Sequence, residues 1–164
     1  MESSSEDHPL RRADRAIPKA DARRILEDGV CGVLAMVSPD GSPYAVPMNY
    51  ALADDTLILH SAKEGRKLEC IRHEPRVTFC VVGKSEVVPE KLTMRYECVL
   101  VSGVAEIVES GEGNEKRRNT ALKKLADRHA PNSSETADHM ITQYREHTRV
   151  ILVQIHSICG KCNP

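Results

Sequence analysis

The chain has 164 residues, with 23 Lys plus Arg against 24 Asp plus Glu and a formal charge of −1. That length suits one domain with a short tail, and so balanced a charge advertises neither a nucleic-acid nor a membrane partner. The longest apolar runs fall far short of the roughly 20 residues a membrane helix needs, and the polar residues 1–16 carry no secretory pattern, so a cytoplasmic protein is expected.

Residues 1–10 read as a mobile tail of Ser, acids and Pro, and residues 11–164 as the folded domain. A helix is predicted over Lys19–Asp28, with Ala22, Ile25 and Leu26 as its apolar stripe and Gly29 as its stop. Strands follow over Cys31–Val37, Tyr44–Leu52 and Thr56–His60, joined by turns at Ser38–Ser42 and Asp54–Asp55, so an antiparallel meander is expected. Pro47 lies inside the second of these strands; it has no N–H for a ladder, which marks an edge or a bulge. A helix over 63–73 leads to a fourth strand, Arg76–Val82, and a long fifth, Thr93–Val108, bent near Ser102 and Gly103. After a loop at 111–113, helices are expected over Asn114–His129 and Thr136–Glu146, then a sixth strand, Arg149–His156, and a C-terminal tail. Six strands with inserted helices predict an α+β, mainly β, antiparallel six-stranded split β-barrel with peripheral helices. With four Tyr, one Phe and no Trp, its core must be aliphatic, and Cys31, Cys80 and Cys98 read as small core residues.

Chemistry concentrates in two stretches. In His60-Ser-Ala-Lys-Glu-Gly-Arg-Lys67 a strand hands over to a helix whose first N–H groups and partial positive charge suit an anion. Ser61 adds a hydroxyl, Gly65 allows close backbone approach, and Lys63, Arg66 and Lys67 add charge; Lys63 and Lys67 share a helix face. The pattern fits a phosphate cradle or an ordinary solvated helix start, and it lacks the spacing of a P-loop. In Val46-Pro47-Met48-Asn49 the proline interrupts main-chain pairing, which frees neighbouring backbone groups to face a flat heterocycle, with Asn49 offering donor and acceptor; an edge proline explains it equally. His60 is a candidate proton donor or a strand-end histidine bonded to backbone. Cys159 and Cys162 form half of a zinc motif; without a second pair they read as incidental thiols, and no metal is expected. The basic helix over 114–129 has no aromatic platform for nucleic acid and reads as a solvated outer face.

RRADRAI (11–17), VPMNY (46–50), HSAKEGRKL (60–68), TMRYECV (93–99) and CGK (159–161) occur in this order, and with them the chain resembles the nitroimidazole-resistance (Nim) family of the pyridoxamine 5′-phosphate oxidase-like FMN-binding split-barrel superfamily. The resemblance implies a homodimer with FMN at the subunit interface and flavin-dependent reduction of small-molecule electrophiles such as nitroimidazoles. It implies that Ser61 and Lys67, with Lys63 or Arg66, hold the FMN phosphate, and that His60 and Ala62 lie beside the ribityl chain or ring, with His60 the candidate catalytic group. Gly65 would permit the tight approach. Val46, Pro47, Met48 and Asn49 would follow the isoalloxazine edge. Tyr96, Cys98 and Val99 would reach the partner subunit's flavin, and Gly160 and Lys161 would close over it. The sequence departs from its relatives at Cys98 and Cys159, where Ser and Thr are usual, exchanging good hydroxyl donors for weak thiols. The competing expectations are a non-catalytic flavin- or haem-binding module, with His60 or His73 on the iron, and a pyridoxamine-phosphate oxidase-like enzyme.

Overall fold

The structure is a computed structural model that describes residues 11–109, 111 and 113–164; the tail expected at 1–10 lies outside the described residues. The first helix, α1 (Lys19–Asp28), has the expected bounds and buries Ala22, Ile25 and Leu26, one helical face at spacings of three and four. It ends where the Gly29 N–H bonds back to the Ile25 carbonyl. β1 (Cys31–Val37) and β2 (Pro43–Asn49) form a hairpin in register from Val37↔Pro43 to Cys31↔Asn49. Its turn needs Gly41, whose φ of 79° is open to glycine and costly for most residues.

The expected strand Tyr44–Leu52 is two strands. β2 ends at Asn49, and β3 (Ala51–Ala53) pairs not with β1 but with β4 (Thr56–Ala62), in the register Ala51↔Ile58. Among the described residues the seven strands therefore run β2-β1-β5-β6-β7-β4-β3, all pairs antiparallel. β2 and β3 are separated only by Tyr50 in the chain yet occupy opposite edges of the sheet. The sheet must curl until its edges meet, and the closure is a covalent crossing at Tyr50, not a hydrogen-bonded ladder. The fold is thus a mainly β split barrel with seven strands instead of six.

Four further expectations are corrected. β5 (Arg76–Val88) continues past Val82 after a register shift between Val82 and Ser85. β7 (Thr148–Asn163) absorbs the expected C-terminal tail: β6 (Thr93–Val108) is long enough to pair it as far as Tyr96↔Asn163, and backbone pairing needs no apolar alternation. β6 bends as expected, with its register shift between Ser102 and Gly103. Of the thiols, Cys31 is exposed, Cys80 and Cys98 are half-buried, and Cys70 is the one fully inside. It stands on α2 (Arg66–His73), which starts later than expected, after Gly65.

Two clusters organise the packing. The larger fills the barrel and the underside of α1 and α2, with Phe79, Leu34, Leu59 and Val101 fully buried. The smaller lies on the outer face of β4 and β7, where Ile58 and Val150 meet Ala121 and Leu125 of α3 (Glu115–His129). α4 (Ser134–Gln143) covers α3 and buries no side chain of its own. Among the described residues no helix is long and apolar enough to cross a membrane.

Candidate functional site

The split in the barrel is lined by the two sequence stretches that carry chemistry. β3 and β4 pair at Ala51↔Ile58, and extending that register backwards sets Asn49 opposite His60 and Pro47 opposite Ala62. No ladder forms there: β2 pairs with β1, and the upper half of β4 pairs with β7. Pro47 supplies one reason, since it cannot donate across the seam. One lip of the split is therefore Val46–Asn49 and the other His60–Ala62.

Strand alternation divides each lip. Val46 and Met48 turn into the core cluster, while Pro47 and Asn49 are exposed on the outer face. His60 and Ala62 are likewise exposed, whereas Ser61 is buried at the barrel rim, and its hydroxyl bonds to no partner among the described residues. The chain then turns through exposed Lys63 and Gly65 into α2. Gly65 has φ 129° and ψ 167°, a conformation essentially reserved for glycine.

The two basic residues at the start of α2 differ in kind. Arg66 lies 4.5 Å over the Tyr44 ring and donates to the Ser38 and Ser42 hydroxyls, so it pins the helix to the β1–β2 turn. Lys67 is half-buried and has no carboxylate partner among the described residues; its burial holds the ammonium below the usual lysine range.

Although the His60 side chain reaches solvent, partial desolvation by the surrounding walls, the Lys67 charge and, to a smaller degree, His129 hold its imidazole below its ordinary range, which favours the neutral form at pH 7. Its proton nitrogens are then one donor and one acceptor. Between the lowered folded value and about 6.5, the unfolded value, the unfolded chain binds this proton more readily. His60 thus favours folding above that window and the contribution is lost as pH falls through it. Histidine-resolved NMR titration should give His60 a midpoint under about 6.5; a midpoint above it would contradict this electrostatic account.

The second group of predicted residues is elsewhere. On β6 and β7, Cys98 pairs with Lys161 and Val99 with Gly160. Val99 is fully buried, and Gly160 packs beneath α1, where an added Cβ would meet Ala22 and Ile17 at 2.6 Å. Cys98 and Lys161 take the other face, with the Lys161 ammonium 5.6 Å from the Tyr96 ring centroid. His60 pairs with Val150, near the opposite end of β7 from Lys161. About 35 Å of strand separates the two at roughly 3.3 Å per residue. One chain does not bring Tyr96, Cys98 and Lys161 to the lips of its own split.

Sequence reasoning missed the outer wall of the site. His129 and Tyr144, from α3 and the end of α4, flank the same cavity as Asn49 and His60. The His129 Nε2–H donates to the Tyr50 carbonyl over 2.9 Å, at the residue that crosses the split. The signal was present: His129 continues the stripe Leu122, Leu125, Ala126 by one more turn. Among the described residues no group of three or more His, Cys, Asp or Glu side chains stands together as a metal site would need.

The family described as pyridoxamine 5′-phosphate oxidase matches residues 18–162. Among curated proteins none matches. A proposed 5-nitroimidazole antibiotic resistance protein from Bacteroides thetaiotaomicron is 23% identical over 90% of this chain and 86% of that one, with a TM-score of 0.72. An FAD-binding protein from Mesorhizobium loti is 24% identical over 92% and 98% of the two chains, with a TM-score of 0.63. The flavocytochrome Anf3 from Azotobacter vinelandii is 18% identical over 98% of this chain and 75% of that one, with a TM-score of 0.76. At these identities the likeness to solved structures is one of fold.

Proposed function

The chain belongs to the pyridoxamine 5′-phosphate oxidase family, and from that premise we propose that it is an FMN-binding reductase of small electrophiles, nitroimidazoles among them, acting as a homodimer. The observation that carries the reading is the split: an unpaired seam between Val46–Asn49 and His60–Ala62, with the Lys67 ammonium, which has no carboxylate partner among the described residues, at one end. A phosphate beside Ser61 and Lys67 would give that cation its missing anion, with Lys63 close in sequence and Gly65 leaving open space at the turn. A flat ring along the lips would meet exposed backbone and the Asn49 amide. When bound, the flavin supplies hydride transfer. The chain's part is to hold the ring, exclude water, and present the neutral His60 imidazole as a hydrogen-bonding group at the lip, with the protons for the reduced product drawn from solvent.

A second copy explains the distant residues. Tyr96, Cys98 and Lys161 reach a flavin only across a subunit interface. An apolar outer face is available for one: Val33, Val82 and Leu100, on neighbouring strands, are 40%, 61% and 38% exposed in the single chain. Against true pyridoxamine-phosphate oxidation stands the outer cavity, whose lining carries no Lys or Arg for a substrate phosphate.

The test is direct. The purified protein should be yellow, or should take up added FMN with one site per chain and sediment as a dimer. Kept anaerobic with a chemical reductant in excess to re-reduce the flavin, it should convert a nitroimidazole to its amine, a six-electron change that takes three turnovers of a two-electron flavin. A colourless monomer indifferent to FMN would overturn the reading, and a Soret band in place of flavin bands would put haem in its stead.

A further inference from the structure

The cavity behind Asn49 and His60 has walls of unusual regularity. Leu122, Leu125, Ala126 and His129 stand on one face of α3, and Ala137, Met140, Ile141 and Tyr144 repeat the same spacing on and just past α4. Two matching apolar stripes normally close on each other. Here they do not: α4 buries nothing, Met140 and Tyr144 are 45% and 43% exposed, and a cavity of about 340 Å³ remains between the helices. Polar contacts also link the α3 and α4 region. Lys123 bridges to Asp138 at 3.1 Å, and the Arg118 guanidinium donates to the Arg145 carbonyl.

We infer that this cavity is the substrate pocket, and that it selects flat, uncharged aromatic electrophiles. The cavity meets the split at Asn49 and His60, so a ring lying between α3 and α4 has its edge against the lips. This placement relative to the cofactor rests on the flavin reading. The selectivity does not: it follows from the lining. Six apolar side chains line the cavity, and among the described residues no Lys, Arg, Asp or Glu does. A carboxylate or phosphate drawn inside would lose its water and find no counter-ion, which is costly. Neutral polar edges are met by Asn49, Thr148 and the Tyr144 hydroxyl at the rim, and the volume suits one or two fused rings. His60, held neutral, adds no charge of its own.

Nitrobenzene and 4-nitrobenzoate share a ring and differ in charge. Titrated into the full chain with added FMN and followed by the imidazole resonances of His60 and His129, nitrobenzene should bind at least about tenfold more tightly than 4-nitrobenzoate. Ala137→Trp, filling the cavity from α4, should weaken nitrobenzene by about tenfold or more while FMN affinity and the thermal midpoint stay unchanged; Met140→Trp, at an exposed position, should act the same way. Equal affinity for the two rings would overturn the inference. So would unaltered nitrobenzene binding in both tryptophan variants, or FMN affinity falling in step, which would make the cavity the seat of the flavin. A change in oligomeric state with ring binding intact would give the cavity to a second copy and overturn it too. If the wild type takes up no FMN while nitrobenzene still binds and Ala137→Trp still weakens it by about tenfold or more, the flavin reading fails and the pocket stands.

Discussion

Tyr50→Ala should cost about 3–5 kcal/mol of folding stability, the loss typical of deleting a large buried aromatic side chain. Tyr50 is 1% exposed and is the residue through which the chain crosses from β2 to β3. Its ring stands edge-on to Phe79, with centroids 5.0 Å apart, in a core otherwise built of aliphatic side chains. Its hydroxyl donates to the Leu26 carbonyl near the end of α1, into space that Gly29 leaves by having no side chain. Burial pushes the phenol up to about 12, so it remains a neutral donor across the working pH range. Tyr50→Phe keeps the packing and loses only that bond, so about 1 kcal/mol is expected. Urea unfolding gives both numbers at constant slope. Equal losses in the two variants would mean that the hydroxyl, not the ring, closes the barrel.

The same residue shows what the sequence could and could not disclose. Tyr44–Leu52 alternates like one strand, and nothing local marks Tyr50 as the point where pairing partners change. That change is a property of the closed sheet: β3 leaves β1 because β4 has arrived at the other edge, and β4 is far away in pairing order though near in sequence. Pro47 did announce a missing ladder. Elements governed by nearby residues were legible: α1 from its stripe and Gly29, the hairpin from Ser38–Ser42, the β6 bend from Ser102-Gly103. Elements governed by a distant partner were not. The tail at 157–163 carries no strand pattern, and it became strand because β6 offers it an unpaired edge.

The site divides in the same way. The cluster of polar residues at 60–67 is local, and its place beside the split follows from one strand and one turn. Lys67 was expected on the phosphate, with Lys63 or Arg66 beside it. Only packing sets Arg66 apart, because Tyr44, Ser38 and Ser42 come from a different hairpin to occupy Arg66. The cavity between α3 and α4 was hidden for a subtler reason. Its α3 wall, Leu122, Leu125 and Ala126, is an apolar stripe, and an apolar stripe predicts burial, not a gap. The gap depends on how closely two helices approach, which is a property of the assembled fold and not of either stripe.

That separation of Arg66 from Lys67 makes the strongest functional prediction. Lys67→Ala should weaken FMN by about 10- to 100-fold, the equivalent of one charged hydrogen bond of roughly 1.5–3 kcal/mol. The apoprotein should lose no stability, because in the free chain the ammonium is half-buried, has no carboxylate partner among the described residues and is already disfavoured by burial. Lys67→Arg should restore part of the affinity, since charge is kept and geometry is not. Arg66→Ala should behave in the opposite sense. It removes the stacking on Tyr44 and the bonds to Ser38 and Ser42, so the midpoint of unfolding should fall while FMN affinity changes little. Raising the salt concentration should weaken FMN in the wild type more than in Lys67→Ala, because the variant has one fewer charge to screen. Fluorescence titration of FMN at two ionic strengths, run beside thermal melts of the three variants, reads all of this at once. If Lys67→Ala and wild type bind FMN alike at both ionic strengths, the phosphate does not sit at the start of α2.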